Sequence, residues 1–337
     1  MLEDLVTRQV DGISVSPMHL APGVATVVNG GIKQPITLLR TDAPGPGERV
    51  ISEQTSHDMR RLMRLVVQGG TGRKSAAEGY LIGAAGKGLQ ALFIMMNSMR
   101  LAVGVQGSAV ANVATLRALE YAKERPQGGR PDAAPMMISE HDDVKRMLLE
   151  MSAKREMIRA LTLRTAAYLD LAAATQDADA AQHYLNLGEL LLPIAKTIGS
   201  ETAFQVANQG IQVLGGYGYT NDYPIERMVR DIRVSSIYEG TSGIQALDFL
   251  KRKVLADEGR TLTALLTIIR QDIADTDADN PLKAGVDNIV QAMASLLDEL
   301  LDRAATDRKS VEPGAYHFLC FSGLLVTHWL GMLLYRG

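Results

Sequence analysis

The 337-residue sequence holds one cysteine, Cys320, and one tryptophan. A lone thiol excludes a disulfide framework and any Cys-cluster zinc site. It places the chain by default in a reducing, cytoplasmic compartment. No charge of one sign dominates: 35 Lys and Arg stand against 38 Asp and Glu, a net charge of -3. The basic surface that nucleic acid requires is therefore missing. Aromatic residues are only 5%, while Ala, Leu and Met are abundant, which favours helices over strands. The six histidines, at 19, 57, 141, 183, 317 and 328, show no ligand spacing to one another, so no metal is expected. Also lacking are a glycine-rich loop with a lysine for nucleotide phosphates, a paired-histidine zinc helix and a nucleophile elbow. Residues 1–10 carry acids and no apolar run, which is not the pattern of a signal peptide.

What is present reads as a folded, mainly helical chain, 46% hydrophobic and 22% charged. Residues 1–75 differ from the rest: they hold turn-like clusters such as Pro44-Gly45-Pro46-Gly47 and Gly69-Gly70-Thr71-Gly72. The β-branched runs 24–28 and 36–39 are expected as strands and 60–67 as a short helix. Residues 78–83 read as a strand end and 86–88 as a turn.

Long helices are expected over 89–124, behind a capping box at 139–142, and over 180–214 with a bend near Gly199. Arg125-Pro126 stops the first, because proline cannot continue the ladder. Gly215-Gly216 caps the last of these. Pro224 is placed as the first residue of a short helix, and another begins at Thr241. Amphipathic segments follow over 260–274 and 281–303. Residues 316–335 form an uncharged run of membrane-spanning length, expected as a buried or interfacial helix, with a membrane-associated protein as the rival. The chain stops directly after that run, which suggests truncation.

Residues 212–254 carry the chemistry. A helix ends at two glycines, an aromatic loop and a short basic helix follow, and Glu239 then stands alone between Tyr238 and Gly240 before a helix start. A glycine beside the carboxylate leaves room for a planar group. Apolar burial would raise such a carboxylate towards the range of a general base, and the helix N-terminus would oppose that. On these residues alone, a cap neighbour is the stronger reading of Glu239.

The stretch resembles the C-terminal signature of the acyl-CoA dehydrogenases. The likeness rests on Gln-x-x-Gly-Gly-x-Gly-Tyr from Gln212, on Tyr223-Pro224, on Arg230-Asp231, and on Ile237-Tyr238-Glu239-Gly240-Thr241-Ser242 with Ile244-Gln245 behind. Upstream, residues 79–83, 86–89, Arg100 and Glu124-Arg125 also resemble that family. The resemblance implies a mainly α fold: a dehydrogenase-like helical bundle over 76–256 and an additional C-terminal helical domain over 257–337. Residues 1–75 remain unassigned, a remnant or divergent middle β-domain. It implies FAD as cofactor, an acyl-CoA thioester as substrate, electron-transferring flavoprotein as acceptor, and a homo-oligomer, dimer or tetramer. Glu239 would be the base taking the α-proton, with Gly240 and Thr241 against the flavin. Arg125 would meet the FAD pyrophosphate, Gln212 and Gly216 the FAD of a neighbouring subunit, and Arg100 would lie near the acyl-CoA. The alternative to these roles for Arg100 and Arg125 is a solvated helix face. A catalytically inactive fragment that binds FAD poorly is the other reading of the whole.

Overall fold

The structure is a computed structural model that describes residues 17–34, 45–69, 88–129, 132 and 134–335. The chain divides into two compact units, 1–88 and 89–337; the boundary expected from the sequence lay at 75–76.

In the first unit, helix α1 (Pro17–Val28) leads into a minimal antiparallel ladder of β1 (Ile32–Lys33) and β2 (Glu48–Arg49), and then helix α2 (Glu53–Gly69). Ser56, fully buried, ties these parts: its hydroxyl donates to Val27 O at 2.6 Å and accepts from Gly30 N at 3.1 Å. Residues 24–28 are thus helical and not a strand. Pro17 opens the helix where its missing N–H costs nothing, and β propensity is a preference that context overrides. The expected strands at 36–39 and 78–83 and the glycines at 70–72 lie outside the described residues, as do residues 86–87.

The second unit is a helical bundle. Helix α3 (Gly88–Glu124) stops at Arg125-Pro126, and the following loop folds back on itself. Gln127 N donates to Met136 O and Ile138 N to Arg125 O, at 2.8 and 2.9 Å. Helices α4 (Asp142–Ala174) and α5 (Ala178–Leu214) contribute to both apolar cores of the unit. No capping box forms at 139–142. Ser139 lies in a 3-10 turn, Ile138–Glu140, and His141 takes the N-cap position with its ring turned away to Gln127 O at 2.8 Å. Asp142 and Asp143 fill the first turn of α4, where the helix dipole favours acids. Asp177 caps α5, its Oδ1 accepting from Asp179 N and Ala180 N.

Helix α6 (Ile225–Arg233) follows a 3-10 turn over Gly215–Tyr219, with Pro224 at the N-cap, one position before the first helical residue. Helix α7 (Ser242–Asp248) widens into a π-helical turn, Phe249–Val254. Helices α8 (Arg260–Asp275), α9 (Lys283–Thr306) and α10 (Ala315–Leu334) complete the chain.

Two apolar cores lie along α4 and α5. At one end, Met147, Met151 and Ile158 meet Ala203, Val206 and Ala207 together with the alanines of α3 and Ile225 and Ile232 of α6. At the other, Leu161, Leu187 and Leu191 meet α7–α10. The apolar 316–335 run belongs to this second core. Leu319, Leu325 and Trp329 are fully buried, and Trp329 Nε1 donates to Asp272 of α8 at 2.8 Å. Its length and composition would suit a membrane span, yet it packs against α4, α7 and α9. Helices α3 and α5 cross on glycines: a Cβ on Gly107 would stand 2.3 Å from Gly199 O. This close crossing sets Arg100 and Gln106 of α3 beside the loop that carries Glu239.

Candidate functional site

The sequence-predicted residues fall into two groups on the helical unit. The first is a cavity of about 690 Å³ where α3, the 126–137 loop and the end of α5 meet. Arg125, Gln212 and Gly216 all line it, with Tyr121, His141 and Tyr217. The Arg125 guanidinium sits 5.2 Å from the centre of the Tyr217 ring, a cation–π contact, and has no carboxylate partner among the described residues. Tyr121 and Tyr217 each pack edge-on against Tyr223, with centroids 5.5 and 5.9 Å apart.

Gly215 ends α5 with φ 63° and ψ -141°, a conformation close to glycine's own territory. A Cβ on Gly215 or Gly216 would meet nothing within 4 Å. The cavity therefore offers the Arg125 cation, the amides of Gln127 and Gln212, bare backbone and aromatic faces. Arg125 is exposed at its rim, which agrees with both the solvated-face and the anion-binding reading.

The second group is the turn between α6 and α7. Glu239 is half-buried and has φ 54°, followed by Gly240 at φ 91°. A left-handed non-glycine residue costs about 1–3 kcal/mol unless its surroundings hold it. They do so here. Gln245 Nε2 donates to Glu239 O at 2.9 Å, and Lys196 Nζ donates to Gly240 O at 2.8 Å. Tyr238 donates to Gln106 of α3 at 2.5 Å. Thr241 is the N-cap of α7, its hydroxyl accepting from Ile244 N at 3.4 Å. On the side where a Cβ would project from Gly240, Gln245 Nε2 lies 2.8 Å away. Glycine is required by the backbone angle and by this contact.

Arg100 lies neither on a solvated face nor at an open rim. It is 5% exposed and pairs with the equally buried Asp248 of α7 at 2.6 Å. It braces the helix behind the Glu239 turn, and its Nε has no partner among the described residues. Sequence reasoning missed Lys196 and Asp248, and gave Gln245 only as part of the signature, without its contact to the turn. A signal for Lys196 existed: it is the one charge in the apolar run 190–199. Its burial pulls the amine down to about 8, partly offset by Glu201 and Glu239. No group of three metal-ligating side chains occurs among the described residues.

These two groups keep their distance. Lys196, under Gly240, and Gln212, in the cavity, stand sixteen residues apart on α5, about 24 Å at 1.5 Å per residue.

Comparison with known proteins places this geometry. Residues 86–254 match the family model of the acyl-CoA dehydrogenase C-terminal domain, and the chain belongs to the acyl-CoA dehydrogenase family. It is 39% identical over 265 residues to the 3-methylmercaptopropionyl-CoA dehydrogenase of Ruegeria pomeroyi, covering 75% of this chain and 44% of that protein. It is 34% identical over 311 residues to the broad-specificity linear acyl-CoA dehydrogenase FadE5 of Mycobacterium tuberculosis, covering 87% and 51%. The chain thus spans about half the length of these curated relatives. Among solved structures, an acyl-CoA dehydrogenase of Bacillus anthracis complexed with FAD superposes with TM-score 0.61 at 22% identity, covering 74% of this chain and 44% of that one. Caenorhabditis elegans ACDH-11 in complex with C11-CoA gives 0.61 at 21%, covering 73% and 42%. These likenesses show the fold: the mainly helical bundle and its additional C-terminal helices.

Residues 6–87 match a different model, that of the penicillin-binding protein transpeptidase domain. This is the stretch otherwise unassigned, or read as a remnant β-domain. The two matches meet where the chain divides into its two units. Residues 6–87 contain no Ser-x-x-Lys, no Ser-Asp-Asn and no Lys-Thr-Gly, the signature set of penicillin-binding proteins. Acyl-serine chemistry therefore has no nucleophile motif in this stretch.

Proposed function

We propose that the helical unit is the catalytic half of a FAD-dependent acyl-CoA dehydrogenase with Glu239 as its base. The observation that carries this reading is the Glu239 turn itself. A carboxylate-bearing residue sits in a strained left-handed conformation, held by Gln245, Lys196 and the Thr241 cap. Strain of this kind clusters where a side chain must be aimed.

The residues present fit FAD. A guanidinium with no carboxylate partner among the described residues, amide side chains and exposed glycine backbone suit a pyrophosphate, and Tyr121 and Tyr217 offer apolar faces to an adenosine. When bound, the flavin supplies a hydride acceptor for the β-carbon of an acyl-CoA thioester. The chain's own part is to hold Glu239 where its carboxylate takes the α-proton. A thioester α-proton is weakly acidic, so donors must polarise the carbonyl in a dry site. The backbone N–H of Glu239 is the donor this turn orients. Gly240 and Thr241 border the flavin in this reading, and Arg100 keeps α7 in place through Asp248. Electrons leave to an electron-transferring flavoprotein, and the working form is a homo-oligomer.

The test is anaerobic bleaching of the flavin absorbance by acyl-CoA in the FAD-loaded chain. Glu239→Gln should retain flavin and lose bleaching, a barrier rise of several kcal/mol at ~1.4 kcal/mol per tenfold in rate. Unchanged bleaching by the variant overturns the assignment. A second reading is an inactive helical fragment with the signature retained. One observation favours it: the unit ahead of the bundle is similar to a transpeptidase domain rather than to a flavin-covering one. Bound flavin far below one per subunit at saturating FAD supports this second reading.

A further inference from the structure

We propose that Lys196 is the positioning residue of this site, fixing the Glu239 turn through its bond to the Gly240 carbonyl. The inference rests on the reading of Glu239 as base. Lys196 is fully buried in the middle of α5. A buried ammonium is costly unless it is paired, yet it makes no ion pair within 4 Å among the described residues. Its bond is to a backbone carbonyl, 2.8 Å away, at the residue directly after Glu239. A hydrocarbon side chain would fill the same space at lower cost, so the amine is retained for that carbonyl.

The surrounding charges come from three elements. Glu201, on α5 itself, and Glu239, in the turn, favour the ammonium, and Arg100 of α3 disfavours it. Arg100 is in turn held by Asp248 of α7. Glu201 is held from the far side by Tyr316 of α10, whose hydroxyl donates to it at 2.7 Å. Tyr316 of the additional C-terminal helices thus holds one of the charges that act on Lys196.

Gln245 supplies the other donor to the turn, at 2.9 Å to Glu239 O. With both carbonyls of a left-handed pair tied down, the two residues keep angles they would otherwise abandon. Losing the lysine leaves Gly240 O without its shorter bond, and only the 3.4 Å contact from Gln245 remains.

Two measurements on the full chain test this without turnover. Amide hydrogen exchange by mass spectrometry should rise at least about tenfold over residues 239–242 in Lys196→Met, with α4 and the rest of α5 unchanged. Equal protection in variant and wild type overturns the proposal, as does a rise spread evenly along α5, the mark of a packing role alone. The second measurement needs no lysine variant. In the chain labelled at lysine Cε, one resonance should titrate near pH 8 and should move to lower pH in Glu239→Gln. A lysine set that all titrates in the ordinary range, or no movement on Glu239→Gln, overturns the geometry. Both readings are of position, so they stand or fall apart from the bleaching test of Glu239 as base.

Discussion

Two adjacent glycines show how differently neighbouring residues carry the same cavity. Gly215 has φ 63° and ψ -141° with free space around it, and Gly216 has ordinary angles and free space. Gly215→Ala should therefore cost about 1–3 kcal/mol of folding stability from backbone strain alone. Gly216→Ala should leave stability unchanged while placing a methyl in the cavity and weakening adenine dinucleotide binding. Urea denaturation and calorimetric titration of the two variants separate these effects; equal melting of both overturns the distinction. Lys196 gives a pH-dependent prediction. Its folded value of about 8 lies below the 10.5 of the free side chain, so between these values the unfolded chain binds the extra proton. Stability contributed by this group then rises with pH, by up to about 1.4 kcal/mol per unit. Its burial penalty is present in full below pH 8 and is relieved towards pH 10.5. The difference in unfolding free energy between wild type and Lys196→Met should climb over that window. A flat difference would show that the amine titrates normally.

At the scale of elements, the decisive contact is the glycine crossing of α3 and α5. A Cβ on Gly107 would meet Gly199 backbone at 2.3 Å, and backbone cannot move aside as a side chain can. Gly107→Ala should force the helices apart and destabilise by about 1–3 kcal/mol or more. It should also draw Gln106 from Tyr238 and Arg100 from Asp248. Gly331→Ala is the control, since its Cβ would find only Met157 Cε at 3.6 Å, and it should be neutral or slightly stabilising. Thermal unfolding of the pair decides.

The long helices were legible because their apolar periods run for many turns. Helix α3 was expected at 89–124 and observed at Gly88–Glu124. The failures were local. Residues 24–28 read as a strand because five residues cannot outvote the helix around them. The apparent capping box lost to the 126–137 loop, which binds His141 from outside. The site was legible as a motif, through Glu239 and its neighbours, while the partners of Lys196 and Gln106 were not. Their contacts bridge 44 and 132 residues of sequence, a distance over which no periodicity carries information.

The whole molecule raises the question of how one cofactor could use both groups of residues. Arg125, Gln212 and Gly216 share a cavity, but the Glu239 turn lies about 24 Å away along α5. A second protomer resolves this if a two-fold axis brings the cavity of one to the Glu239 turn of the other, as closed dimers do. The surface has the means. Val105, Val113 and Leu116 of α3 and Leu163 of α4 are exposed at 52%, 40%, 44% and 59%, apolar groups that gain from being covered. The prediction is complementation between two defective chains. Arg125→Ala removes the cavity's cation, and Glu239→Gln removes the base; each alone should fail to bleach flavin with acyl-CoA. Mixed and refolded together, half of the dimers combine one chain of each kind. In such a dimer one site has both defects and the other has neither, so about a quarter of all sites are intact. Recovery of roughly that fraction of wild-type bleaching supports a shared site. No recovery, with sedimentation confirming that mixed dimers formed, would mean that each protomer binds its own cofactor through both groups or uses only one of them. A monomer at micromolar concentration would exclude the shared site at once.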